Sequence, residues 1–187
     1  MLVEIVMEAA MSEIKGLLYT TDLNTLLLFN KSIKCRLLDR LMPLLTQLGS
    51  ALFTISSCLL IIFIGKGETR GIGFKALVSL AVSHLIVHLL KNRICRLRPI
   101  DVLPNLNTFN VAIDYYSFPS GHTTAVFAIA TTLAFNAPLL AFVGFPVAFI
   151  VGITRLYLGV HYPSDVLAGM ALATFTTAAI QFISNLL

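Results

Sequence analysis

Residues 114–130 read DYYSFPSGHTTAVFAIA. A helix breaker, a small hydroxyl residue, a glycine and an imidazole stand directly in front of an apolar run. Pro119 stops a helix from extending backward through the loop, and Ser120 and Gly121 mark where the next helix opens. The unpaired N–H groups and positive dipole end of such a start favour an anion, and Gly121 lets one approach the backbone closely. His122 stands beside that place.

The rest of the chain has the same apolar character. Apolar residues make up 57% of 187 positions and charged residues only 12%, about half the ~25% usual for soluble domains. A soluble protein of this size could not bury so much apolar surface, so the chain is expected to be polytopic in a bilayer. Five spans are expected, at 42–65, 73–90, 120–136, 139–156 and from 164 to the C-terminus, with Ser164 as N-cap of the last. Ahead of them, residues 2–19 place Glu4, Glu8, Ser12 and Lys15 three or four apart, the polar stripe of an amphipathic helix lying in the interface. The stretch TTDLNTLLLFN and the basic segment Lys31 to Arg40 then read as a juxtamembrane connector. The expected fold is an all-α transmembrane bundle of about five to six helices. Residues 1–40 form the interfacial helix and connector, and 41–187 the membrane domain. The N-terminus has no basic leader and does not read as a cleavable signal peptide.

Several function classes fall away. A net charge of +4, with basic residues confined to a few interhelical stretches and no aromatic interleaving, argues against nucleic acid. Cys35, Cys58 and Cys95 are too few and too scattered for a disulfide framework or a zinc cluster. His84 and His88 share a helix face, but no third metal ligand is evident. No obligate protein partner is indicated.

Alternation of the spans has a consequence. The loop after the second span, the start of the third and the loop between the fourth and fifth lie on one side of the membrane. Lys91, Arg98, His122, Arg155, His161 and Asp165 therefore converge at one mouth of the bundle, while Lys66, Glu68, Arg70 and Lys75 mark the other. Two guanidinium forks and an ammonium suit the tetrahedral oxygens of a phosphoryl group. Asp165, four residues after His161, can accept one ring N–H and leave the other nitrogen free to attack. His122 is placed as a general acid. No metal or other cofactor is needed.

KNRICRLRP (Lys91 to Pro99), PSGH (Pro119 to His122) and TRLYLGVHYPSD (Thr154 to Asp165) resemble the three signature motifs of the type 2 phosphatidic acid phosphatases. These PAP2 lipid phosphate phosphatases are related to glucose-6-phosphatase and the vanadium haloperoxidases. One departure is Thr154, where the family usually has Ser; the hydroxyl is kept. The resemblance implies a small bacterial integral membrane phosphatase, independent of metal. It implies His161 as a nucleophile forming a phosphohistidine, Asp165 as its orienting partner and His122 as the acid for the leaving group. Lys91, Arg98, Ser120, Gly121 and Arg155 would hold the phosphate. Phosphatidate, phosphatidylglycerol phosphate and undecaprenyl diphosphate are the implied membrane substrates, with loop 100–118 expected to discriminate among them.

Arg93 and Arg96 flank the first motif and read as headgroup anchors. Asp101, Asp114, Tyr115 and Tyr116 are candidates for the substrate entrance or for ordinary loop polarity. Gly144, Gly152 and Gly169 are expected to permit close helix approach. The motif side is the more basic, which the positive-inside rule alone would place in the cytoplasm; the resemblance implies the extracytoplasmic face, and that expectation is followed. A small transporter or flippase for an anionic lipid or solute is the alternative, since ionisable residues in membrane helices can line a solute path.

Overall fold

The computed structural model describes residues 2–109, 111 and 114–186, with side chains from residue 13 onward except 14 and 15. Eight α-helices and no β-strand occur among these residues. α1 spans Leu2–Leu27 and passes through a π-turn at Leu28–Ser32 into α2, Arg36–Leu45. A 3-10 turn, Thr46–Gly49, leads to α3, Ala51–Ile64, and α4 follows at Glu68–Ile94. After the short α5, Pro99–Val102, come α6, Gly121–Asn136, α7, Pro138–Tyr157, and α8, Pro163–Ser184.

The three long apolar helices α4, α7 and α8 are each long and apolar enough to cross a membrane. The first expected span is instead bent: α2 with its 3-10 turn and α3 meet at 51°, and only taken together are they long and apolar enough to cross a membrane. Pro43 lacks the N–H that would bond back along the helix. Ser50, in extended conformation, then restarts the chain by accepting the Phe53 N–H at 3.3 Å. The remaining expected span, α6, has 16 residues and is too short to qualify by length. It lies at the centre, packed by α4, α7 and α8, and Thr123 through Ala128 are all buried. Protein, not lipid, surrounds it, so hydrocarbon thickness does not set its length.

The N-terminal region differs from expectation in one respect. No breaker interrupts residues 16–27, and α1 continues into the supposed connector as far as Leu27. The expected Glu4, Glu8, Ser12 and Lys15 stripe lies outside the described side chains. Farther along, Asp22 and Asn30 are buried against the membrane helices. Asn30 donates to the Tyr157 carbonyl at 2.8 Å and the Asn107 carbonyl at 3.1 Å, and accepts the Asn107 N–H at 2.9 Å. At the opposite end of the bundle, Lys75, Asn136 and Gln181 form a polar chain with links of 3.0 Å.

Close approach of α6 and α8 fixes the site end. A Cβ on Gly169 would stand 2.7 Å from the Ser120 carbonyl oxygen and 3.0 Å from Thr124 Oγ1. At Gly144 the nearest atom would be 3.4 Å away, an ordinary contact. Gly169→Ala should therefore destabilise the fold by about 1–3 kcal/mol through overpacking, read as a lower melting temperature in detergent, while Gly144→Ala leaves it nearly unchanged. Equal melting temperatures for the two variants would contradict this packing.

Candidate active site

Four helix ends meet at one mouth of the bundle. Lys91 lies in the last turn of α4, Gly121 and His122 open α6, Arg155 lies in the last turn of α7, and Asp165 in the first turn of α8. Arg98 precedes α5 as its N-cap. His161 sits in the tight loop from α7 to α8, where Gly159 has φ +70° and a left-handed turn that glycine tolerates. The chain between α4 and α6 folds back on itself. Leu97 and Tyr116 form an antiparallel bridge, and the Arg96 carbonyl accepts the Ser117 N–H at 2.8 Å.

A cavity of about 180 Å³ lies among these ends, lined by Lys91, Arg98, Arg155, His122, His161 and Gly121 together with His84, Asp114, Gly49 and Ala51. Six of the eight expected site residues thus face one space. Asp165 and Ser120 do not line it. Asp165, wholly buried, stands behind His161, and Ser120 directs its hydroxyl to Thr123 Oγ1 at 2.9 Å. The Ser120 N–H donates to the Asp165 carbonyl at 3.0 Å, locking the starts of α6 and α8 together. Ser164 is not the cap of α8. The helix begins two residues after Gly-Val-His, with Tyr162 as N-cap, and the Asp165 carboxylate accepts the Tyr162 N–H at 2.8 Å.

His161 has two different faces. Nδ1 is 3.4 Å from Asp165 Oδ2, a close approach short of hydrogen-bond geometry. Nε2 is 3.2 Å from Arg98 Nη1. With Asp165 beside Nδ1, the neutral ring carries its proton there and turns the Nε2 lone pair toward the cavity. Complete burial, reinforced by Arg98, Arg155, Lys91 and His122, pushes the His161 pKa well below the ordinary imidazole value. The ring is therefore neutral near pH 7, the form in which nitrogen can attack.

The cations differ in how fully they are paired. Arg98, 1% exposed, donates to the Asp114 carbonyl at 2.7 Å, the Val160 carbonyl at 2.8 Å and the Tyr116 carbonyl at 3.1 Å, and pairs with the Asp114 carboxylate. Lys91 donates to the Tyr116 carbonyl at 2.6 Å and pairs with Asp114 at 3.0 Å. Arg155 is 2% exposed, donates to Thr46 Oγ1 at 2.6 Å and leaves Nε without a partner. A guanidinium buried so deeply with so few acceptors is costly unless an anion joins it. Thr154, the departure from the motif, turns its hydroxyl to the Val151 carbonyl at 2.6 Å.

Two contributions, those of His84 and Arg96, escaped the sequence reading, and a third, that of Asp114, was left open there between the substrate entrance and loop polarity. Asp114 is an ion-pair partner of Lys91 and Arg98 and not merely a loop polar group. Burial alone would raise its carboxyl pKa, but Lys91 and Arg98 more than offset this and hold it below the usual carboxylate value. His84 lines the cavity, while His88 points away and pairs with Asn92 at 3.2 Å. Among the described residues no group of three or more His, Cys, Asp or Glu is arranged to hold a metal. Arg96 is no headgroup anchor: it pairs with Asp22 and Asp165, each at 2.8 Å. Neither Asp22 nor Asp114 stands in a motif, so spacing could not give their ion-pair partners.

Residues 72–185 match the PAP2 superfamily, and the chain belongs to it. It is 31% identical over 140 residues to an undecaprenyl-diphosphatase of Sulfolobus acidocaldarius, an alignment covering 74% of this chain and 66% of the relative. To a lipid A 1-phosphatase of Rhizobium etli it is 34% identical over 152 residues, covering 68% of this chain and 63% of the relative. The matched stretch therefore spans just under two thirds of either relative. A crystal structure of a transmembrane PAP2-type phosphatidylglycerolphosphate phosphatase from Bacillus subtilis superposes with a TM-score of 0.72 at 26% identity, covering 98% of this chain and 93% of that one. The multi-pass membrane fold expected from the composition is the fold of this family.

Asp114 presents like charge to any phosphate entering among Lys91, Arg98 and Arg155. Asp114→Asn should tighten inhibition by inorganic phosphate by about three- to tenfold, as expected for removing one nearby repulsive charge. Weaker phosphate inhibition in this variant would show that the carboxylate instead organises the cations.

Proposed function

We propose that this protein is an integral membrane phosphatase that removes the terminal phosphate of a lipid phosphate or diphosphate through a phosphohistidine intermediate. The observation that carries the reading is the incompletely paired Arg155 guanidinium, buried beside the neutral His161 in a cavity lined by two further cations. His161 Nε2 attacks phosphorus, and the bond from phosphorus to the lipid oxygen breaks as His122, protonated in the complex with the anionic substrate, delivers one proton to that oxygen and becomes neutral. A water then attacks the phosphohistidine, giving its proton to His122 and releasing inorganic phosphate. Asp165 balances the charge that develops on the His161 ring. Lys91, Arg98, Arg155 and the N–H groups at Gly121 neutralise the transferring oxygens, the principal contribution in phosphoryl transfer. Ser120 acts indirectly, by shaping the first turn of α6.

A second cavity supports a lipid substrate. Its lining is apolar apart from Thr54 and His84, and comprises Ala51, Thr54 and Ile55 of α3 with Leu77, Leu80, Ala81 and His84 of α4. Ala51 and His84 belong to both cavities, so a chain leaving the phosphate site has an apolar crevice to follow. Phosphatidylglycerol phosphate, phosphatidate and undecaprenyl diphosphate all present a terminal phosphoryl group to this arrangement.

Purified protein in mixed micelles should release phosphate from at least one of these lipids in the presence of a chelator. His161→Ala should lower the rate by at least about 10³-fold, the scale of losing a catalytic nucleophile. Undiminished release from that variant would remove the mechanism, and lipid transport without hydrolysis would favour the transporter reading.

The site faces the extracytoplasmic side in this proposal. Lys91, Arg96 and Arg98 are held in internal ion pairs, and Arg155 faces the cavity. They therefore do not act as the free loop charges that fix orientation. Cys35 and Cys95 are exposed at the site end, whereas Cys58 is buried. In intact cells an impermeant maleimide should label the native chain at Cys35 and Cys95. It should not label Lys66→Cys in a background lacking those two. The opposite pattern would place the site in the cytoplasm.

A further inference from the structure

Behind the cavity, and outside its lining, lies a polar cluster. Arg96 donates through Nη1 to Asp165 Oδ1 at 2.8 Å and Ser164 Oγ at 2.7 Å, and through Nη2 to Asp22 Oδ2 at 2.8 Å. Asp22, near the end of α1, accepts the Ser164 N–H at 2.8 Å and also the Ser164 hydroxyl, which closes the ring of contacts. The guanidinium carbon lies 3.9 Å from the centre of the Tyr162 ring, a stacked cation–π arrangement. The backbone of Arg96 is held as well, through its carbonyl and Ser117. Asp22, Arg96 and Ser164 are all absent from the cavity wall.

The chemistry shows what such a cluster does. An ionised carboxylate with no solvent exposure is costly unless paired. Arg96 is the only Lys or Arg in ion-pair contact with Asp165 among the described residues. Once Nε2 of His161 is bonded to phosphorus, the ring is cationic, and the group facing Nδ1 must be an anion to stabilise it. A planar fork can hold one carboxylate on each arm. Asp22 engages one arm and aims the other at Oδ1, leaving Oδ2 toward His161 and the Tyr162 N–H. We infer that Arg96 is a positioning residue that keeps Asp165 ionised and oriented, and that Asp22 of the N-terminal helix anchors it. A chain of contacts, Asp22–Arg96–Asp165–His161, thus joins α1 to the nucleophile. The inference rests on the proposed role of His161.

The test uses the full chain in mixed micelles and whichever of the three lipids the native chain hydrolyses fastest, with inorganic phosphate as competing inhibitor. Asp22→Asn should lower kcat about 10-fold and Arg96→Gln about 100-fold, the range for partners that orient a reacting group. KM and the phosphate inhibition constant should stay within about threefold, because the cavity wall is untouched. Arg96→Lys should recover part of the lost kcat, since one ammonium keeps the charge but lacks the fork. A kcat within about threefold of the native value in Arg96→Gln overturns the inference. The same result in Asp22→Asn removes α1 from the chain, and Asp22→Asn decides the matter if Arg96→Gln does not fold. Loss of phosphate inhibition alongside kcat would mean collapse of the site and would also overturn it. A native chain inactive on all three lipids would instead defeat the underlying reading, and the inference with it.

Discussion

Asp165 is bonded at two levels, and the geometry of the site follows from both. Its carbonyl accepts the Ser120 N–H, and its carboxylate accepts the Tyr162 N–H and the Arg96 guanidinium. Through the first bond, the starts of α6 and α8 are held at one point. Through the second, His161 is held where the α7–α8 loop must pass. A glycine one turn further along α8 makes this approach sterically possible. Two helix N-termini then direct their positive ends to the same place. The C-termini of α4 and α7, whose dipoles have the opposite sign, bring Lys91 and Arg155 with them.

Cationic charge buried in a membrane bundle has to be compensated, and here that happens unevenly. Arg98 is surrounded by carbonyls and a carboxylate, Arg96 is shared between two carboxylates, and Arg155 has a single hydroxyl. The first two are structural as much as electrostatic, since removing either would strand a buried acid or several carbonyls. Arg155 is the cation with capacity left for a visitor.

Much of this arrangement was legible in the sequence. Apolar runs located the helices of four of the five expected spans to within about five residues, though α6 among them is too short to qualify as a span, and the alternation of sides brought Lys91, Arg98, His122, Arg155, His161 and Asp165 to one end without coordinates. The bend in the first expected span, 42–65, was not legible because the consequences of Pro43 and Ser50 depend on what packs against it. Gly49 shows this well: a Cβ there would meet His122 at 3.1 Å, a contact between segments remote in sequence. Arg96 was misread because its partners are 74 and 69 residues away and neither spacing repeats any local pattern. Asn30 was invisible for the same reason, its partners lying 77 and 127 residues distant.

The crevice between α3 and α4 opens the cavity sideways, past exposed Ala51, Ile55 and Ala81. An enzyme fed from that direction meets its substrate by two-dimensional diffusion. On the proposed function, its turnover would track the mole fraction of the lipid in the surrounding leaflet, not the amount per volume of cytoplasm or medium. Dilution with inert lipid would slow it as effectively as removing substrate.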